Sequence, residues 1–345
     1  MNASDRPLTR RTRPRGRSAW AACAVPLAML GAPAAAHAEV LLPTAKLSVD
    51  PPLSAEDDEA NNVSGAACYV ADGKRKSCFL IGDEVRYARL FSIDGDTVVP
   101  GDKVYILPER DARGDKFKET DAEGVAFADG FYYLVGSHGL NKKGKKQLSR
   151  YFVYRVKVDA DTGRPSDLGD GKSASRAVER SDALERYIAA HPVLNAHIGD
   201  IPGKQGVNVE GIAVRGSDLF FGFRGPVEKK AVILKVPISA VFEGDVAAAE
   251  PCDIDLGGEA IRDLAAVEGG LLVLTGPEPR TPGKARVFLW KPDETRLLAD
   301  LGGPRADGGQ PEALLVMRES AAGYSIVIFS DGPTGGDPTS YDISK

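Results

Sequence analysis

The sequence contains no glycine-rich phosphate loop, no G-x-S-x-G nucleophile elbow and no paired-histidine zinc motif. Cysteine and histidine are scarce, with four of each in 345 residues. A firmly apolar run of the roughly 20 residues that cross a bilayer is also missing, because the apolar stretch 18–36 is interrupted by Pro26, Gly31 and Pro33. Past residue 38, positive charge is short: 38 Lys and Arg stand against 48 Asp and Glu, a net charge of −10. That balance argues against nucleic acid and anionic membranes as partners. It suits cation binding or plain solubility.

Six arginines, Arg6, Arg10, Arg11, Arg13, Arg15 and Arg17, precede the apolar stretch, and Ala36-His37-Ala38 follows it as a small-x-small pattern. Residues 1–38 are therefore expected to be a signal peptide cleaved before Glu39, which sends the mature chain to the periplasm or outside the cell. A membrane anchor is the alternative, which the interrupted run disfavours. Arg10-Arg11 resembles a twin-arginine signal, but Thr12-Arg13-Pro14 stands where apolar residues belong. In an oxidising compartment Cys68 and Cys78 are expected to pair across a hairpin with a three-residue loop, Asp72-Gly73-Lys74, leaving Cys252 over.

The remaining 307 residues exceed the usual size of one core, so two domains or a repeat array are expected. A repeat is visible. An acid, a small residue and an apolar run recur as Asp121-Ala-Glu123-Gly124-Val-Ala-Phe and Asn208-Val-Glu210-Gly211-Ile-Ala-Val. Weaker copies read Ile261-Arg262-Asp263-Leu-Ala-Ala-Val and Gln310-Pro311-Glu312-Ala-Leu-Leu-Val, and a degenerate first copy has Ser64 in place of the acid. Each is followed by one or two more short β-branched or aromatic runs bounded by Gly, Pro and Asp, which is how strands read.

Several strands recurring at about 50-residue intervals specify an all-β fold, a β-propeller. Five blades are expected over residues 61–345; the long interval between Glu123 and Glu210 leaves six open. That interval holds a short helical insert around 181–198, with Ser181 as its cap and Pro192 as its stop. Within the N-terminal segment 39–60, residues 44–49 are expected to supply the outer strand of the last blade and close the ring.

The motifs Asp121-x-Glu123-Gly124, Gly136-Ser137-His138, Val209-Glu210-Gly211-Ile212-Ala213, Gly222-Phe-Arg224-Gly225-Pro226 and Ile261-Arg262-Asp263-Leu264-Ala265 together resemble a family of exported bacterial proteins catalogued only as a domain of unknown function. The resemblance spans about residues 60–332 and implies no activity. At fold level the Glu-Gly strand starts are similar to those of propeller lactonases and phytase-like propellers, which set acidic side chains around a central metal.

The start of each innermost strand faces the central channel, so Glu123, Glu210, Asp263 and Glu312 are expected to converge at one mouth, with Asn208 nearby. Converging carboxylates repel unless a positive group sits among them. Calcium, which takes six to eight oxygen ligands, is the cation expected there. Arg224 and Arg262 would hold an anionic group, and His138 would carry a proton. The same residues read equally as a structural ion-pair network, with His138 bonded to a carbonyl. Two functions follow. One is a calcium-dependent hydrolase of a lactone, ester or phosphoester. The other is a non-catalytic propeller, expected to be a monomer, that binds a small molecule or an envelope protein. The run Lys142-Lys143-Gly-Lys145-Lys146 reads as a solvated hairpin tip.

Overall fold

The computed structural model describes residues 40–55, 58–276, 284–302 and 309–345. The expected signal peptide lies outside the described residues. Five antiparallel sheets of four principal strands make five blades. Their innermost strands are Val63–Ala71, Ala122–Ala128, Asn208–Arg215, Ala260–Val267 and Gln310–Glu319. Each packs beside the next, and the fifth packs beside the first, so the ring is closed.

Five apolar cores fill the wedges between blades. Phe79 of blade one stacks on Tyr132 of blade two at 3.9 Å between ring centres. Phe220 of blade three meets Trp290 of blade four edge to face, and Phe91 of blade one meets Phe329 of blade five. Alternation along each strand sends one set of side chains into each neighbouring wedge, which is why the strands are apolar on both faces.

The long interval holds no sixth blade. After the third strand of blade two, Val153–Lys157, the chain loops out and returns as the outer strand Val178–Ser181, then forms helices α1 (Leu184–Ala190) and α2 (Pro192–Ala196). Ser181 does not cap α1 by side chain; its hydroxyl bonds the carbonyl of Val241 and accepts the amide of Ala183. Pro192 opens α2 as well as ending α1, with His191 accepting the Leu194 amide as the cap.

The N-terminal segment closes the ring differently from the expected single strand over 44–49. The contact with the last blade covers 44–47: Ala45–Lys46 pairs opposite Ser340 and Thr339, and the Thr44 and Leu47 amides bond the Ser340 and Pro338 carbonyls. Val40–Leu41 runs parallel to the outer strand of blade four, and Ser48–Val49 runs parallel to that of blade one. One short segment thus stitches three consecutive blades.

Cys68 and Cys78 form a disulfide with their Cα atoms 4.0 Å apart. The hairpin loop has two residues, not three. Asp72 and Gly73 both have positive φ, the backbone of a tight turn that follows the strand twist. A bulge after Tyr69 restores the register, so Cys68 still faces Cys78.

Candidate functional site

Every innermost strand begins with a β-bulge, and the bulged residue is Ser64, Glu123, Glu210, Arg262 and Glu312 in blades one to five. The fourth repeat therefore sits one residue out of the register expected from sequence. Arg262, not Asp263, is the counterpart of the glutamates. Asp263 falls where the other blades have Gly65, Gly124, Gly211 and Ala313.

This second position is the contact between neighbouring inner strands. A Cβ on Gly124 would lie 2.8 Å from the Ile212 amide nitrogen, and one on Gly211 would lie 2.7 Å from that of Leu264. Asp263 reverses the solution by bonding the neighbour. Its Oδ2 accepts the Leu314 amide and its Oδ1 the Leu264 amide, both at 2.7 Å. Burial pushes this carboxyl above its usual range, and the two amides hold it partly down. With both oxygens engaged by backbone, Asp263 is a strut between blades four and five rather than a metal ligand.

Four of the five bulge residues, Ser64, Glu123, Glu210 and Glu312, meet a cavity of about 400 Å³ at the channel mouth, which Asp83, Asp121, Asn208, Arg224 and Asp331 also line. A second ring comes from the ends of the second strands. In register terms Asp83, Ser137, Arg224, Gly276 and Asp331 are equivalent, each following the residue paired with the one just before the bulge of its inner strand. Lys142, Arg150 and the 201–203 loop beyond α2 complete the lining. The loop that follows the helical insert therefore walls the cavity.

Charge is divided at this mouth. Part of it is paired: Arg262, 1 % exposed, donates to Glu312 at 2.7 Å and lies 3.6 Å from Glu210. Arg224 donates to Glu210 at 3.2 Å, and Asn208 donates to the same oxygen. Arg150 holds Asp121 at 2.8 Å and Glu119 at 2.6 Å. Asp83, Glu123 and Asp331, from blades one, two and five, by contrast have no ion pair among the described residues. One Asp83 oxygen is buried without a hydrogen bond.

Burial and then Asp121 and Asp331 push Asp83 up to about 8. Burial raises Asp121 to about 6 against the pull of Arg150. Glu123 is held well above the carboxylate range by burial, then by repulsion from Glu210, Asp121 and Asp83. Burial raises Glu312 as well, although Arg262 opposes it.

His138 is not among the residues that line the cavity. It sits at φ 53°, with Nδ1 2.9 Å from the Gly136 carbonyl and Nε2 buried without a hydrogen bond. Burial lowers its pKa to about 4, so at neutral pH the ring is neutral and held away from the mouth. It cannot serve there as the proton carrier expected from sequence. Sequence reasoning passed over Asp83, Arg150, Asp331 and Lys142. Asp83 and Asp331 were visible as register mates of Arg224, whereas Arg150 and Lys142 arrive by the chain's path between strands, which no repeat records.

The expected calcium ligands are thus not gathered into one shell. Among the described residues, no group of three or more His, Cys, Asp or Glu side chains is placed to hold a metal ion. No described helix is long and apolar enough to cross a membrane.

These features define a five-bladed β-propeller with an ion-paired, acid-rich channel mouth. The chain belongs to the family described as protein of unknown function (DUF3616), which matches residues 71–153 and 145–301. No curated protein matches it. Among solved structures it is similar to a hypothetical protein from Leishmania major, at 12 % identity and TM-score 0.41, over 90 % of this chain and 91 % of that one. It is also similar to a PQQ-bound aldose sugar dehydrogenase from Streptomyces coelicolor, at 12 % identity and TM-score 0.42, covering 88 % and 97 %. A calcium-binding regucalcin from Agrobacterium tumefaciens gives 10 % identity and TM-score 0.41, covering 89 % and 97 %.

Proposed function

We propose that this is an exported, non-catalytic propeller that binds a small organic cation at its acid-rich channel mouth. The observation that carries this reading is the division of charge. Arginines pair with Glu210, Glu312 and Asp121, but Asp83, Glu123 and Asp331 line the same cavity with no ion pair among the described residues. A second observation agrees. Ser64, only 6 % exposed, lines the cavity with a hydroxyl that has no hydrogen-bond partner among the described residues. A hydroxyl that lines a cavity and has no partner among the described residues is available to a ligand donor or acceptor.

Binding is favoured over hydrolysis because His138 does not line the cavity and Arg262 is committed to Glu312. An organic cation is favoured over calcium because calcium needs six to eight oxygens within 2.3–2.6 Å, and no group of three or more His, Cys, Asp or Glu side chains among the described residues is placed to hold a metal ion. The cavity volume falls in the range of small-molecule sites. Isothermal titration of hexylamine and of calcium chloride at pH 8, with wild type and Glu123→Gln, tests this. Hexylamine should bind wild type and lose about tenfold in affinity in the variant, the order expected for one charge-assisted contact. Calcium binding in preference to the amine would restore the metal-dependent reading, and binding of neither would remove the site.

A further inference from the structure

We propose that the ligand is a zwitterion, its ammonium group on the acidic wall and an anionic group on Lys142. This inference rests on the cation site proposed above and names the class of molecule that site takes. Lys142 lines the cavity, yet no ion pair of its side chain occurs among the described residues. Its neighbour Lys146 is different. That side chain is bound to Glu185 of α1 and lies over the Tyr151 ring, so the two lysines of one loop have separate fates.

The loop holds Lys142 in place. Asn141 Oδ1 accepts the amides of Lys143 at 2.9 Å and Lys145 at 3.0 Å, and the Asn141 carbonyl accepts the Gly144 amide at 2.8 Å. Gly139, at the base of the loop, has no room for a side chain: a Cβ would stand 2.8 Å from Pro202 and 2.9 Å from the Val207 carbonyl. The lysine loop is therefore packed on the 201–207 loop, and both supply lining to one cavity. A charge presented by a closed turn loses less entropy on binding than one on a free tip.

The same mouth thus offers two kinds of unmatched group. Asp83, Glu123 and Asp331 are unpaired acids, with the Ser64 hydroxyl among the same lining residues; Lys142 is an unpaired base. A simple amine would satisfy the first and leave the second facing its own positive charge. An ω-amino acid satisfies both. A dicarboxylate or phosphate monoester would bring no positive charge to the acids and could engage Lys142 alone.

The test uses matched pairs: 4-aminobutanoate, 5-aminopentanoate and 6-aminohexanoate against butylamine, pentylamine and hexylamine, titrated into wild type and Lys142→Gln. Lys142 is exposed and bears no structural bond, so the variant should melt with wild type, which a thermal scan confirms. At least one amino acid should bind wild type about tenfold more tightly than its matched amine, as expected for one added charged contact. In Lys142→Gln that preference should disappear. Amines binding as well as every amino acid, or a preference that survives the substitution, would overturn the zwitterion and leave the cation site standing. Equal tightening of both classes in the variant would also overturn it, since Lys142 would then be a tethered counter-ion. Binding of neither class would overturn both proposals.

Discussion

Asp83 joins sequence, charge and stability in one side chain. It follows Gly82 at the end of a second strand, in the register that blade three gives to Arg224. Where blade three has a glutamate–arginine pair, blade one has Ser64 and Asp83. A carboxyl raised from 3.8 to about 8 on folding binds its proton more tightly in the folded chain. Its contribution to stability is therefore present below pH 3.8 and lost as pH rises through 8. Asp121 acts in the same sense up to about 6. His138 acts in the opposite sense: its pKa falls to about 4, so stability is lost as pH drops below 6.5. Between pH 6.5 and 8 the histidine is silent. There the melting temperature should fall as pH rises, and Asp83→Asn should flatten that slope and melt higher at pH 8. A wild-type slope of the other sign would show that Asp83 has a counter-ion. Arg262 gives the complementary case. Arg262→Met should cost about 3–5 kcal/mol in denaturant unfolding, because it strands the buried Glu312 and takes from Glu210 one of its two arginines.

At the scale of elements, the inner strands were legible because the repeat is local: acid or substitute, small residue, apolar run. Four of the five bulge residues could be placed by that pattern. The fourth could not, since Arg262-Asp263 offers an acid one place late, and nothing in the sequence alone says that the small position holds a bonding aspartate there. The same locality explains the disulfide. Cys68 and Cys78 face each other whether the loop has three residues or two with a bulge, so the pairing was readable and the turn was not. On the chain-entropy account this short closure stabilises by about 2–3 kcal/mol. Cys68→Ser with Cys78→Ser should lower the denaturation midpoint accordingly and leave ligand binding unchanged, as the bridge stands near the opposite end of the channel, beside a cavity of about 220 Å³.

On the scale of the whole molecule, ring closure distributes over three blades what the sequence suggested for one. The outer strands of blades four and one are each extended by two N-terminal residues, and that of blade five is made by them. Deleting residues 40–49 should therefore lower the melting temperature more than disrupting Ala45–Lys46 alone. Equal losses would mean that the two parallel additions contribute nothing. The long interval between blades two and three, which sequence spacing left open to a sixth blade, instead builds the wall of the mouth. Its role was hidden because the 201–203 loop reaches the site through the packing of α1 and α2, not through any repeated motif.

A closed five-bladed ring leaves acids at its mouth with no ion pair among the described residues, and burial raises Asp83 to about 8, so that it holds a proton near neutral pH. A bound cation should displace that proton. Titrating hexylamine at pH 7.5 in two buffers of different ionisation enthalpy measures this directly, from the difference in observed heat. The account predicts release of a proton on binding, smaller in Asp83→Asn; binding with no proton released, or release that Asp83→Asn leaves untouched, would contradict it.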